Sequence, residues 1–382
     1  SRIRTVLKTF DVPARFIALT FAFVVGLSVL AIPAQSAQAY PPTSMGLRFE
    51  TTSANEVAEF GFGGDLVGVT IDWGDGSSQV TVPNGTAVAD ALYSHTYTTV
   101  GTYSAVVTAT KLTHFGYCGL PQNFWNLNQV LSWGSMQTTS FECALSNRSG
   151  LTSVPSTLPS SVTNLNLMFL SNHIFDQDLS GWNTHNVTAM RGTFRSAYSF
   201  NNGGAAMPWD TSHVTDMAQM FNGAEVFNQS LAGWDVSQVT DMTSMLDKVV
   251  GQTWAFSDQN YSSMLVGWAA QAVQPNLVLS ASSNKATGCA AVEARAQLLA
   301  SPHNWSFTDV APTDVVPAGG CSGSSFSPSP SPSASGSSSP SASALAQTGA
   351  PVFIGLFGLS TAMLMAGVSA LIVRRKLNSE SK

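Results

Sequence analysis

A unit of 25 to 27 residues recurs through the middle of the chain, and it limits the possible folds more than any other feature. Val162, Val187, Val214 and Val239 stand 25, 27 and 25 residues apart, and each is followed by threonine (Thr163, Thr188, Thr215, Thr240). Three residues past each valine come Leu165, Met190, Met217 and Met242, and thirteen past the first three come Phe175, Phe200 and Phe227. Trp182, Trp209 and Trp234 recur at 27 and 25 residues. A unit this short cannot bury its own apolar face, so neighbouring units must stack. Val187, Met190, Phe200, Trp209, Val214, Met217, Phe227, Trp234, Val239 and Met242 are then the inward core rows, one rung per coil. Asp176, Asn201 and Asn228 each follow a repeat phenylalanine and are suited to bond free backbone groups at a coil corner.

The run Trp234-Asp235-Val236-Ser237-Gln238-Val239-Thr240-Asp241-Met242-Thr243-Ser244-Met245 resembles the repeats of BspA-like surface proteins, a branch of the leucine-rich-repeat superfamily. Val214-Thr215-Asp216-Met217-Ala218-Gln219-Met220-Phe221-Asn222-Gly223-Ala224 carries the same resemblance. It implies a short leucine-rich-repeat-like solenoid, β with short helices, over 117–250. The first unit departs from the pattern with Leu165 for Met, the last lacks its Phe after Leu246, and the L-x-x-L-x-L pattern is absent. Residues 251–321 read as a helical and strand cap closing the open end. Tyr261, Met264, Leu265 and Trp268 have helical spacing behind an N-cap at Ser257 or Asp258. Val292, Ala296 and Leu299 suggest a second helix, and Trp305 starts a last short strand.

Ahead of the repeats, 45–116 reads as an all-β unit. Val67, Val69 and Ile71 alternate with polar or small residues, as do Tyr103, Ala105, Val107 and Ala109. Asp75-Gly76 supplies turn chemistry between them. Ile71-Asp72-Trp73-Gly74-Asp75-Gly76, followed by His95, Tyr97, Gly101 and Tyr103, resembles the PKD-type β-sandwich, which implies a spacer or interaction module. Asp72 and Asp75 lack the alternating oxygen ligands of a calcium loop and read as turn caps, and His95 reads as a packing residue.

Both ends look like address labels. Arg2, Arg4, Lys8 and Arg15 precede an apolar run from Phe16 to Ala31, and Ala37-Gln38-Ala39 has the form of a signal-peptidase site, so 1–39 is expected to be a signal peptide. At the other end, 322–344 is a Ser/Pro-rich stretch with no hydrophobic periodicity, expected to be a disordered stalk. Leu345-Ala346-Gln347-Thr348-Gly349 follows, then an apolar segment over 351–373 expected to be a transmembrane helix, then a basic tail over 374–382 with Arg374, Arg375 and Lys376. That order resembles the sorting signal of Gram-positive surface proteins, in the LAxTG form of the LPxTG motif. The resemblance implies that a sortase joins Thr348 to an amine of the cell envelope, with the membrane holding the chain through its C-terminal span until then. Without the signal and the tail, 8 basic and 20 acidic residues remain, a net of −12. Nucleic acid is therefore an unsuitable partner.

The four cysteines, Cys118, Cys143, Cys289 and Cys321, all lie in the exported part, and an even count in an oxidising space suggests bridges. Three connectivities are possible, and Cys118–Cys143 with Cys289–Cys321 brackets one local segment each. No phosphate loop, HExxH or GxSxG spacing appears, and the six histidines share no repeat phase, so no catalytic residue, metal or cofactor is expected. The fold expected is mixed: a PKD-like sandwich, the solenoid, its cap, a stalk and one transmembrane helix. The function expected is a non-enzymatic, secreted, cell-wall-anchored adhesin or protein-binding module. The alternative is a glycan-binding surface protein using exposed aromatics such as Trp125 and Trp133, the extracellular protein or glycan ligand being unidentified.

Overall fold

A computed structural model describes residues 40–119, 126–249, 251, 253–317 and 320–321. The N-terminal part holds eight strands in two sheets. Strands β1 (Ser44–Thr51), β3 (Thr70–Asp72), β4 (Val80–Thr81), β6 (Gly101–Thr108) and β8 (Leu127–Ser132) form one sheet in the order β4-β3-β6-β1-β8. Strands β2 (Glu56–Val67), β5 (Gly85–Tyr97) and β7 (Lys111–Phe115) form the other, in the order β5-β2-β7. Every pairing inside these two sheets is antiparallel. Period-two alternation turns Met45, Leu47 and Phe49 of β1 toward Ala58, Phe60 and Phe62 of β2, and Phe60 meets Trp73 with ring centroids 4.9 Å apart. The buried Tyr97 hydroxyl donates to the Trp73 carbonyl at 2.8 Å, so this aromatic core leaves its phenol satisfied.

Each sheet ends on a strand that the repeats continue. His114 of β7 bridges in parallel to Ser140, which begins the series Ser140–Asn164–Ala189–Asp216–Asp241. Gln129 of β8 bridges in parallel to Ser153. β8 lies beyond the boundary expected at 116/117 and pairs with β1. The sandwich and the coils belong to one compact unit.

Within a coil the backbone runs through successive tight turns. In the coil that begins at Met190, Thr193 N–H bonds the Met190 carbonyl and Ala197 N–H bonds the Phe194 carbonyl. The third residue of each such turn has positive φ: Gly192 at 59° and Ser196 at 56° here, Gln219 at 60° and Gly223 at 72° one coil on. That is the requirement of a type II turn. Alternate N–H groups point along the stack instead: Gly192, Phe194 and Ser196 bond the carbonyls of Ala218, Met220 and Asn222 at 2.8–2.9 Å.

The expected fold class is corrected on two counts. The coils contain tandem turns and isolated bridges in place of short α-helices, because a positive φ every fourth residue breaks the helical bonding series. The regular elements among the described residues are mostly strands in sheets, with two α-helices, α1 (Asp258–Ala269) and α2 (Cys289–Leu299), both in the cap. Among the described residues no helix is long and apolar enough to cross a membrane. The transmembrane helix placed on 351–373 lies outside the described residues, as do the signal peptide, the stalk and the basic tail. In the cap, the Ser257 hydroxyl accepts the Asn260 N–H and starts α1, and the short strands β9 (Val278–Leu279) and β10 (Ser306–Phe307) pair in parallel.

Phe227 is fully buried and stacked between Phe200 at 6.2 Å and Phe256 at 6.0 Å, with Phe221 at 3.9 Å. Phe227→Ala is expected to cost about 3–5 kcal/mol. Thr215→Ala, which removes an exposed hydroxyl, should cost no more than about 1 kcal/mol. Denaturation midpoints of the two variants check the contrast.

Candidate binding surface

The repeat residues occupy four rows inside the coils, one each of tryptophan, phenylalanine, valine and methionine. Trp182, Trp209 and Trp234 are parallel within 6° and spaced 6.1 and 6.3 Å, and Phe175, Phe200 and Phe227 keep 6.2 Å. Val187, Met190, Val214, Met217, Val239 and Met242 are all buried. Each indole donates to a backbone carbonyl one coil back: Trp182 to Pro155, Trp209 to Leu179 and Trp234 to Met207, at 2.9–3.0 Å. Trp268 of α1 continues the series onto Leu231 at 3.1 Å. These inward side chains hold the coils in register, and the outward positions lie at the surface.

One outward row consists of threonines. Thr139, Thr163, Thr188, Thr215 and Thr240 are exposed, and each hydroxyl donates to the carbonyl of the equivalent residue one coil back, at 3.0–3.3 Å. The residue preceding each valine is also exposed but changes from coil to coil: Ser161, Asn186, His213 and Gln238. At the next corner, Asn201 N–H bonds the Asp176 carboxylate, Asn228 N–H bonds the Asn201 side chain, and Ser257 N–H bonds the Asn228 side chain, at 2.7–2.9 Å. The short polar side chain there takes the place of a strand partner.

Beside the variable row lies a polar cluster that sequence phase does not reveal. His185 Nδ1 is 2.8 Å from Asp210, the Ser212 hydroxyl donates to Asp210 at 2.6 Å, and the imidazoles of His185 and His213 meet edge to face at 4.8 Å. His185 stands two residues before its valine and His213 one before, so aligning the repeats keeps them apart although the coils bring them together. The available signal is the residue after each tryptophan: Asn183, Asp210 and Asp235 each accept the N–H two residues on. Further round the coil, Arg191 reaches Asp216 at 3.4 Å and Asp241 at 3.2 Å, an exposed group of little energetic weight. Among the described residues no three His, Cys, Asp or Glu side chains form a set that could hold a metal ion.

Cys118 is bonded to Cys143, with Cα atoms 5.1 Å apart, fastening the segment after β7 to the first coil. Cys289 at the start of α2 is bonded to Cys321, with Cα atoms 5.7 Å apart. Closing loops of this size contributes about 3–4 kcal/mol on the chain-entropy account. Arg148 is fully buried where the first coil meets β2 and donates to the Glu59 carbonyl. Burial pulls its guanidinium down to about 10 against the charge of Glu59. Trp133 is not an exposed platform: it is 5% exposed and packs on Phe141 at 4.5 Å, because it closes the core above the first coil. Trp125, the signal-cleavage residues Ala37 and Ala39 and the motif Leu345 to Gly349 lie outside the described residues.

Residues 135–259 match a protein family. It is described as a Mycoplasma protein of unknown function, DUF285. The matched span covers the coils from Ser135 to the start of α1, about a third of the chain, so the likeness belongs to the coils. No curated protein and no solved structure matches the chain.

Two carboxylates at these surfaces are acidified. Burial raises the Asp75 carboxyl, but hydrogen bonds from Ser77 and the neighbouring His95 outweigh it and hold the group at about 2. Asp210 is likewise held at about 2, burial being outweighed by Ser212 and His185. A folded value below the unfolded value of about 3.9 stabilises the protein above that pH and loses its effect as pH falls toward 2. Asp75→Asn should therefore be less stable than the parent at neutral pH, with the difference shrinking between about pH 4 and pH 2. Denaturation midpoints across that range check it.

Proposed function

We propose that this chain is a non-enzymatic surface protein, an adhesin or protein-binding module exported from a Gram-positive cell and attached to its wall. The observation that carries the reading is the contrast between the two sides of each coil. Inward residues repeat almost without change, whereas the exposed row Ser161, Asn186, His213 and Gln238 differs at every step beside a constant threonine row. A scaffold that keeps its core and varies one aligned outer row suits recognition of an extended partner surface. The two disulfides suit an oxidising exterior. The leader-like sequence over 1–39 and the LAQTG motif at 345–349 suit export followed by attachment.

The adhesion test compares cells displaying the full chain with cells displaying His213→Ala and Gln238→Ala together. Loss of two central contacts should lower adhesion to the target surface by about tenfold or more while the thermal midpoint is unchanged. Equal adhesion by the two strains would rule out this row as the binding face. For attachment, Thr348→Ala should leave export intact but eliminate the muramidase-released, wall-linked form. If the unaltered chain itself is extracted by detergent alone and still ends in Lys382, covalent sorting fails.

A further inference from the structure

Glycine follows asparagine at three places: Asn84-Gly85, Asn202-Gly203 and Asn222-Gly223. In such a pair the glycine nitrogen can attack the asparagine side-chain carbon, because the glycine has no side chain to block the approach. The reaction needs an amide free to turn onto the backbone and a glycine N–H released from its bond. The fold treats the three pairs differently.

Asn202 is fully buried, and its amide is held from both ends. Its Oδ1 accepts the Leu179 N–H at 2.7 Å, and its Nδ2 donates to the carbonyls of Ala205 and Ala206 at 3.0 Å. The Gly203 N–H is bonded to the Asp176 carboxylate of the preceding coil at 2.8 Å. Gly223 is buried, and its N–H bonds the Asp247 carbonyl of the next coil at 2.9 Å. Attack at either pair requires coils to separate. Asp75, the one aspartate followed by glycine, is ionised at neutral pH and bonded to Ser77 and His95, and a carboxylate resists the same attack.

Asn84 and Gly85 lie instead in a run of exposed residues from Pro83 to Thr86. Leu66 and Gly85 are the last pair of the β2–β5 ladder, and strand ends open at low cost. The buried Val82 is anchored separately, by its N–H on the Val69 carbonyl at 2.9 Å, so opening that rung uncovers no core side chain. No atom lies within 4 Å of where a side chain on Gly85 would begin. The Gly68 N–H donates to Asn84 Oδ1 at 2.8 Å, and a donor there stabilises the negative charge that develops on that oxygen during attack.

We infer that Asn84 is a site of self-modification, at which the chain converts asparagine to aspartate and isoaspartate without an enzyme. The Gly85 nitrogen gives its proton to solvent and bonds Asn84 Cγ; the Cγ–Nδ2 bond breaks, and the nitrogen leaves as ammonia. Water then opens the resulting succinimide at Cγ to give aspartate, or at the backbone carbonyl to give isoaspartate. Either product adds a negative charge where β5 begins, and isoaspartate also lengthens the backbone there by one carbon. The inference concerns the edge of the sandwich and is independent of the binding face proposed for the coils.

The test incubates the full chain in ¹⁸O-labelled water at neutral and mildly alkaline pH. Peptide mapping that resolves aspartate from isoaspartate follows all three sites, and a sample reduced and unfolded in denaturant supplies the rates set by sequence alone. In the folded protein Asn84 should convert about tenfold or more faster than Asn202 and Asn222, with labelled isoaspartate among its products. Unfolding should bring the three rates together. Gly85→Ala should slow conversion of Asn84 severalfold in both the folded and the unfolded sample. Folded-state conversion of Asn202 or Asn222 as fast as that of Asn84 overturns the inference. So does an Asn84 that stays unchanged while the unfolded sample converts, or one that yields aspartate without isoaspartate.

Discussion

The coils that follow residue 134 depend on backbone groups that no coil can satisfy alone. In an α-helix each N–H finds its carbonyl within the same segment. Here Gly192, Phe194 and Ser196 must reach Ala218, Met220 and Asn222 in the following coil. An isolated coil would leave such groups open, and an open buried peptide group is costly. The array therefore needs a start and a finish. The sandwich supplies the start on both sides at once, through β7 on one sheet and β8 on the other. The finish is the cap, where Leu246 N–H bonds Ser280 and Trp268 takes the place of a further repeat tryptophan.

The rows of identical side chains follow from the same constraint. Coils that exchange backbone bonds must lie in register, and residues at equal phase are then brought to one strand spacing. Flat rings tolerate that spacing well, because parallel faces at about 6 Å fill the space between successive turns. A tryptophan adds direction, since its N–H must find an acceptor and the carbonyl one coil back is always at the same place. The polar rows outside repeat the solution with shorter groups: Thr188 onto the Thr163 carbonyl, Asn201 onto the Asp176 carboxylate.

Much of this order is written in the spacing of Val187, Val214 and Val239, because burial asks for the same side chain at the same step of every coil. The spacing does not reveal how the chain travels between those steps. The turns depend on positive φ at Leu167, Gly192, Gln219 and Ser244, four different residues with no shared side-chain chemistry. Leucine-rich-repeat likeness points to short helices there, and the turn backbone replaces them. The join to the sandwich is hidden for a related reason. Val130 of β8 reads as one more apolar residue, and its bond to the Ser153 carbonyl is a backbone contact no residue type announces. The His185–Asp210–His213 cluster escapes a repeat alignment because its histidines fall at different phases of neighbouring coils.

The bridge between Cys289 and Cys321 also decides how the protein carries load. Pull on the chain beyond Cys321 and the tension crosses the sulfur atoms directly to Cys289, so α2 and β10, enclosed by the loop, are not stretched. The second bridge, from Cys118 to Cys143, ties the segment after β7 to the first coil in the same way.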